Sequence, residues 1–177
     1  MKQNELTISW INWINTQGVT WAKFTLHYPQ FNTVELWSEP LKIAFKILSN
    51  TYPKSTLKKN RVRMALPKLG HITFLGGDTF AGVALHAQGL IEVLDNDLTR
   101  LNCCLHAAWV SAVRKQLSHQ RQQINNSKKY ESKVWVGMHE GSVDSYFRYL
   151  SRKEGLDLGL GVQKIVLSAT ALNFAVT

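Results

Sequence analysis

His86 and Gln88 stand two residues apart inside the apolar run from Val83 to Val93, and Tyr149 is followed after one helical turn by Arg152 and Lys153. Residues two apart on a strand project to one face, so an imidazole and an amide at this spacing can reach a single divalent cation. A tyrosine brought beside that cation could attack a phosphodiester. The residue types therefore predict a metal-dependent enzyme that nicks DNA through a tyrosine.

The metal site needs more than two donors. Asp78 lies eight residues before His86, after the short β-rich run Ile72 to Leu75, and a hairpin would carry its carboxylate toward the imidazole. Asp78, His86 and Gln88 form a mostly oxygen-donor set, which suits Mg²⁺ or Mn²⁺ better than Zn²⁺. Glu92, further along the His86 face, and His71, at the start of the neighbouring strand, are weaker ligand candidates. The alternative for His86 and Gln88 is ordinary hydrogen bonding, since a buried polar group without a partner costs about 1–3 kcal/mol.

Tyrosine has a pKa near 10 and is a poor nucleophile at neutral pH, so it requires nearby cations and a polarised phosphate. Arg152 and Lys153 provide the cations for Tyr149. Tyr146, one turn earlier, is a second candidate nucleophile, although an aromatic at helical spacing also suits packing. Tyr130 with Lys133 repeats the Tyr-x-x-Lys spacing, but it precedes a strand in a polar stretch and reads as a coincidence.

These residues must be positioned by regular elements. Ala22 to Tyr28 alternates as a half-buried strand and stops at Pro29. Ser38 reads as an N-cap with Pro40 in the first turn, and Leu41, Ala44, Phe45 and Leu48 follow at helical spacing. Arg61 to Leu66 alternates again, Ile72 to Leu75 ends in the turn signal Gly76-Gly77-Asp78, and Val83 to Val93 is a longer strand. From Asn96, Leu98, Leu101, Leu105, Trp109, Val113 and Leu117 predict a helix of roughly 20 residues. Gln120 to Lys129 reads as a solvated segment, Val134 to Met138 as a strand, Ser142 or Asp144 as the cap of a helix to Lys153, and Val162 to Phe174 as β-rich. The order β, α, β, β, β, α, β, α, β predicts an α+β fold with an antiparallel sheet covered by helices on one side, a class that includes ferredoxin-like sheets.

At 177 residues and 45% hydrophobic, the chain can form one core as a single domain over 1–177, burying about 70% of its unfolded surface. Its 21 Lys and Arg against 12 Asp and Glu give a net charge of +9, which favours a polyanionic partner. The excess is clustered: Lys54, Lys58, Lys59, Arg61, Arg63 and Lys68 form one acid-free stretch, and Arg114, Lys115, Arg121, Lys128 and Lys129 another. Six Trp and five Tyr offer surfaces for unpaired bases, although most Trp in such a domain belong to the core. The two cysteines, Cys103 and Cys104, are adjacent on a helical pattern where a mutual disulfide would be strained, so a reducing compartment is expected. With no signal-peptide core and no stretch long enough to span a bilayer, the expected location is cytoplasmic, or the host compartment where a replicon is copied, with no membrane partner.

Three segments in order resemble the HUH endonuclease domain of rolling-circle replication initiator (Rep) proteins of plasmids and single-stranded DNA viruses. Phe24-Thr25-Leu26 resembles the first motif, His86-Ala87-Gln88-Gly89 the metal motif, and Tyr149-Leu150-Ser151-Arg152 the Tyr-x-x-Lys motif. The span from Ala22 to Gly155 is most of the chain. The resemblance implies an HUH architecture in which Asp78 is the acidic ligand beside His86 and Gln88. It also implies that Tyr149 cuts one strand to leave a 5′-phosphotyrosine and a free 3′-hydroxyl, and that the same site can rejoin strands. Arg152 stands where the family has Lys, and Lys153 is placed to share its role. The implied substrate is single-stranded DNA at a replication origin, with Thr25, Lys58, Lys59, Arg61 and Arg63 as DNA contacts. The chain lacks a Gly-x-x-x-x-Gly-Lys-Ser/Thr segment, so the helicase would be a separate protein. The competing expectations are a non-catalytic module that binds single-stranded nucleic acid on its sheet and a basic domain that binds a protein partner.

Overall fold

The computed structural model describes residues 18–28, 31, 33, 35–56, 69–78, 83–119, 133–139 and 164–165, with Asn12, Ile14, Asn15, Ser142, Ser145 and Tyr146 as isolated positions. The elements run β1 (Thr20–His27), α1 (Glu35–Thr56), β2 (His71–Asp78), β3 (Val83–Val93), α2 (Leu98–His119), β4 (Lys133–Met138) and β5 (Lys164–Ile165). The strands form one sheet in the order β4-β1-β3-β2-β5, and every neighbouring pair is antiparallel. Among the described residues the fold is therefore α+β, with an antiparallel sheet and two long helices.

The order fixes the connections. β1 and β2 are both antiparallel to β3, which lies between them, so they are parallel to each other and α1 must cross over. By the same reasoning α2 crosses over from β3 to β4 with β1 between, which makes two interleaved split β-α-β units. β3, carrying the His-x-Gln pair, is the middle strand of the five.

Alternation divides the sheet into two faces. Ala22, Phe24 and Leu26 of β1, Leu75 of β2, Leu85, Ala87, Ile91 and Val93 of β3, and Val134 and Val136 of β4 pack with the helices in one core. Residues Leu41, Ala44, Phe45, Leu48 and Tyr52 are the inner stripe of α1, and Leu101, Leu105, Ala108, Trp109, Ala112, Val113 and Leu117 that of α2. Full burial of such a side chain contributes about 1.5–3 kcal/mol, and these stripes hold both helices on the same side. Trp37 and Trp109 stack at 5.6 Å with 16° between their planes where the helices meet, and the Trp37 indole donates to the Phe31 carbonyl at 2.9 Å.

Three local expectations are corrected. Helix α1 starts at Glu35, so Ser38 lies inside it and is not its N-cap, and both Pro40 and Pro53 are within the helix. Gly76, Gly77 and Asp78 continue β2 instead of ending it as a turn; the register shifts between Gly76 and Asp78, with Gly77 at φ 134°. α2 begins at Leu98, two residues beyond Asn96, because Asp97 accepts the Arg100 backbone N–H at 2.9 Å and so caps the helix. The expected strand at Arg61 to Leu66, the segment Gln120 to Lys129 and most of the helix expected to reach Lys153 lie outside the described residues. Only Lys164–Ile165 is described of the C-terminal β-rich region. No helix among the described residues is long and apolar enough to cross a membrane. Cys103 and Cys104 are free thiols on α2.

Candidate functional site

The second sheet face is built from residues that pair across strands in three rows. Lys133, His27, His86 and Gly76 form one row, Trp135, Thr25, Gln88 and Phe74 the next, and Gly137, Lys23, Leu90 and Ile72 the third. His86 and Gln88 therefore share a face at adjacent steps of the central strand, as their spacing predicts. Both are half-buried.

Their polar tips converge over Gly76. A Cβ built on Gly76 would lie 3.0 Å from Gln88 Nε2 and 3.4 Å from His86 Nε2, so the missing side chain leaves a cradle beneath the two groups. His86 is also oriented from behind. Its Nδ1 lies 3.0 Å from the Ala84 carbonyl oxygen, which can only accept, so Nδ1 donates there and Nε2 is the ring nitrogen turned toward the cradle. Rotating the Gln88 amide exchanges its nitrogen for oxygen at the same place. An imidazole nitrogen and an amide oxygen converging over this glycine are a donor pair that suits a divalent cation accepting mixed nitrogen and oxygen ligands.

Asp78 ends β2 two residues beyond Gly76 and pairs with Val83, and its side chain lies outside the described residues. Among the described residues, no three His, Cys, Asp or Glu side chains gather as a metal cluster. The two weaker candidates are accounted for elsewhere. His71 faces the helices, 3% exposed, stacked on Phe45 at 3.9 Å with Nδ1 3.0 Å from the Leu69 carbonyl oxygen. Glu92 accepts the Gly70 backbone N–H at 2.8 Å and ties the start of β2 to β3. Neither reaches the cradle in this arrangement.

Tyr146 is the one candidate nucleophile among the described residues. Its ring lies under the Lys23 ammonium, 4.6 Å from Nζ to the centroid, and 5.6 Å from the His139 ring. Since Lys23 belongs to the second face, the Tyr146 ring lies over that face and not in the helical core. The Tyr146 N–H donates to the Ser142 carbonyl at 3.3 Å, consistent with a helix starting there. Tyr149, Arg152 and Lys153 lie outside the described residues, as do Lys58, Lys59, Arg61 and Arg63.

Several residues on this face escape a search by motif. His27 is the register partner of His86, and its pKa is lowered by burial and by the neighbouring His86 and Lys133. His139 is also lowered, by burial first and by Lys23, partly opposed by the Ser142 backbone. Trp135 is 54% exposed beside Thr25. The two-residue alternation of β1 already put Lys23 and His27 on the face of Thr25, and that was the available signal. Nothing in the sequence brought His139 or Trp135 to them before β4 was known to pair with β1. Compared with known proteins, the chain matches no family profile, no curated protein and no solved structure.

Proposed function

We propose that this protein is a metal-dependent endonuclease of the HUH type that nicks single-stranded DNA through a tyrosine and can rejoin the strand. The observation that carries the reading is the convergence of His86 Nε2 and the Gln88 amide over Gly76. Support comes from the central position of their strand in a split β-α-β sheet, and from the Tyr146 ring over the same face as Thr25 and Lys23.

In this reading Asp78, His86 and Gln88 hold Mg²⁺ or Mn²⁺, which when bound would polarise the scissile phosphate. Ala84 fixes the His86 tautomer through its carbonyl. Tyr149 is the nucleophile, and Arg152 and Lys153 favour its phenolate. Its oxygen bonds to phosphorus as the bond to the 3′ oxygen breaks, and the phenol's proton ends on the departing 3′-hydroxyl. One phosphoester replaces another, so the reverse reaction rejoins a strand without an external energy source. Thr25 and the basic stretch with Lys58, Lys59, Arg61 and Arg63 hold the DNA, and a separate helicase opens the origin.

The second reading, a non-catalytic single-strand-binding module, is favoured by the exposed Trp135 with lysines nearby on the same face. Incubation with single-stranded circular DNA and Mn²⁺ separates the two. A protein–DNA adduct that survives denaturant and is abolished by EDTA is expected for the nickase. DNA binding without an adduct would establish the module instead.

A further inference from the structure

We propose that Trp135 is a stacking platform for one unpaired base of the bound DNA strand, with Lys133 placed for a flanking phosphate. The inference rests on the single-stranded DNA reading above but not on the tyrosine chemistry.

Trp135 and Met138 are the exposed large apolar side chains among the described residues, and Trp135 at 54% is the more exposed. A tryptophan on an edge strand normally stands away from the sheet or folds into the core. Here Gly137 decides its position. A Cβ at 137 would lie 2.5 Å from Trp135 Cζ2 and 2.6 Å from Cη2, so the indole lies down across the glycine. One ring face covers β4, and more than half of the residue stays open to solvent.

The indole borders an open cleft of about 520 Å³, lined also by Thr25, His27, His106 and Lys133. Among the described residues no carboxylate lines the cleft, while Lys133 is exposed within it. A flat aromatic surface beside an ammonium suits a ligand that carries both a planar ring and an anion, which describes a nucleotide unit. The row Trp135, Thr25, Gln88 runs from this platform to Gln88, one of the two groups that converge over Gly76 of the next row, so a strand lying along it would bring a neighbouring phosphate toward the His86–Gln88 pair.

The test uses the full chain and a fluorescently labelled ten-residue oligo(dT), with binding followed by anisotropy in EDTA so that cleavage does not intervene. Trp135→Ala should weaken binding by about 5- to 150-fold, the range for losing one base–aromatic stack, and Trp135→Phe should recover most of it. Gly137→Ala should lose part of the affinity although Trp135 is present, because the new Cβ displaces the indole. Affinity of Trp135→Ala within twofold of the parent would overturn the platform, even where the parent forms the Mn²⁺-dependent adduct. A Trp135-dependent loss in a protein that forms no adduct would support the platform and refute the nickase. Saturation by dTMP as tight as by the oligonucleotide would identify a free-nucleotide site and overturn the proposal. A parent protein that binds no oligonucleotide would refute both readings.

Discussion

The cradle over Gly76 makes a demand on a single methyl group. Gly76→Ala would place a Cβ 3.0 Å from Gln88 Nε2 and 3.4 Å from His86 Nε2, where the proposed cation must sit. Adduct formation in Mn²⁺ should fall on the order of 10-fold or more, with DNA binding in EDTA unchanged. A parent-like Mn²⁺ titration would show that the cation binds elsewhere. The same face carries a pH dependence. His27 and His139 both have lowered pKa values, each mainly through burial, so the folded state favours the neutral rings. As the pH falls below the ordinary imidazole value, about 6.5, the unfolded chain takes up protons first and the folded state loses stability. Urea midpoints should be level above that pH and decline below it, and replacing both histidines with Asn should flatten the decline. A midpoint that rises on acidification would contradict the assignment.

At the scale of elements, the site face depends on the helical layer packed behind the sheet. Trp109 is fully buried and stacked on Trp37, and its indole reaches toward the His27 carbonyl oxygen at 3.4 Å, the residue that pairs with His86. Trp109→Ala should cost about 3–5 kcal/mol in chemical denaturation, and Asp97→Ala about 1 kcal/mol through loss of the α2 cap. A loss below 1 kcal/mol at Trp109 would mean that the helical layer does not support the sheet as described. The elements were largely legible: Val83–Val93 stands with the bounds read from its apolar run, and Leu101 to Leu117 forms the buried stripe of α2. What was not legible is pairing across distance. Short-range patterns separate faces within a strand, but they do not say that β4 lies against β1, which brings Trp135 beside Thr25 and Lys133 beside His27. Ser38 misled because a favourable cap residue was overridden by a helix beginning at Glu35. Gly76 reads as a turn in sequence because its use is spatial: it leaves room for the side chains of the facing strand.

For the whole molecule, the net charge of +9 sets an expectation for the proposed DNA binding, in which phosphate contacts would dominate affinity. Binding to single-stranded DNA should weaken with salt at a log-log slope of about −0.7 per neutralised phosphate. Replacing Lys58 and Lys59 with Ala should make that slope shallower, whereas a flat dependence in the parent would exclude a polyanionic partner. In the proposed function, a metal site on the second sheet face serves a tyrosine that becomes bonded to DNA. The most direct measurement of that claim is peptide mapping of the denaturant-stable adduct formed with single-stranded DNA and Mn²⁺, in the parent, Tyr149→Phe, Tyr146→Phe and His86→Ala proteins. The account predicts a DNA-linked peptide containing phosphotyrosine at position 149 in the parent, its retention in Tyr146→Phe, and no adduct in Tyr149→Phe or His86→Ala, all with near-parent DNA affinity. A normal adduct in Tyr149→Phe or His86→Ala, or none in the parent, would contradict it.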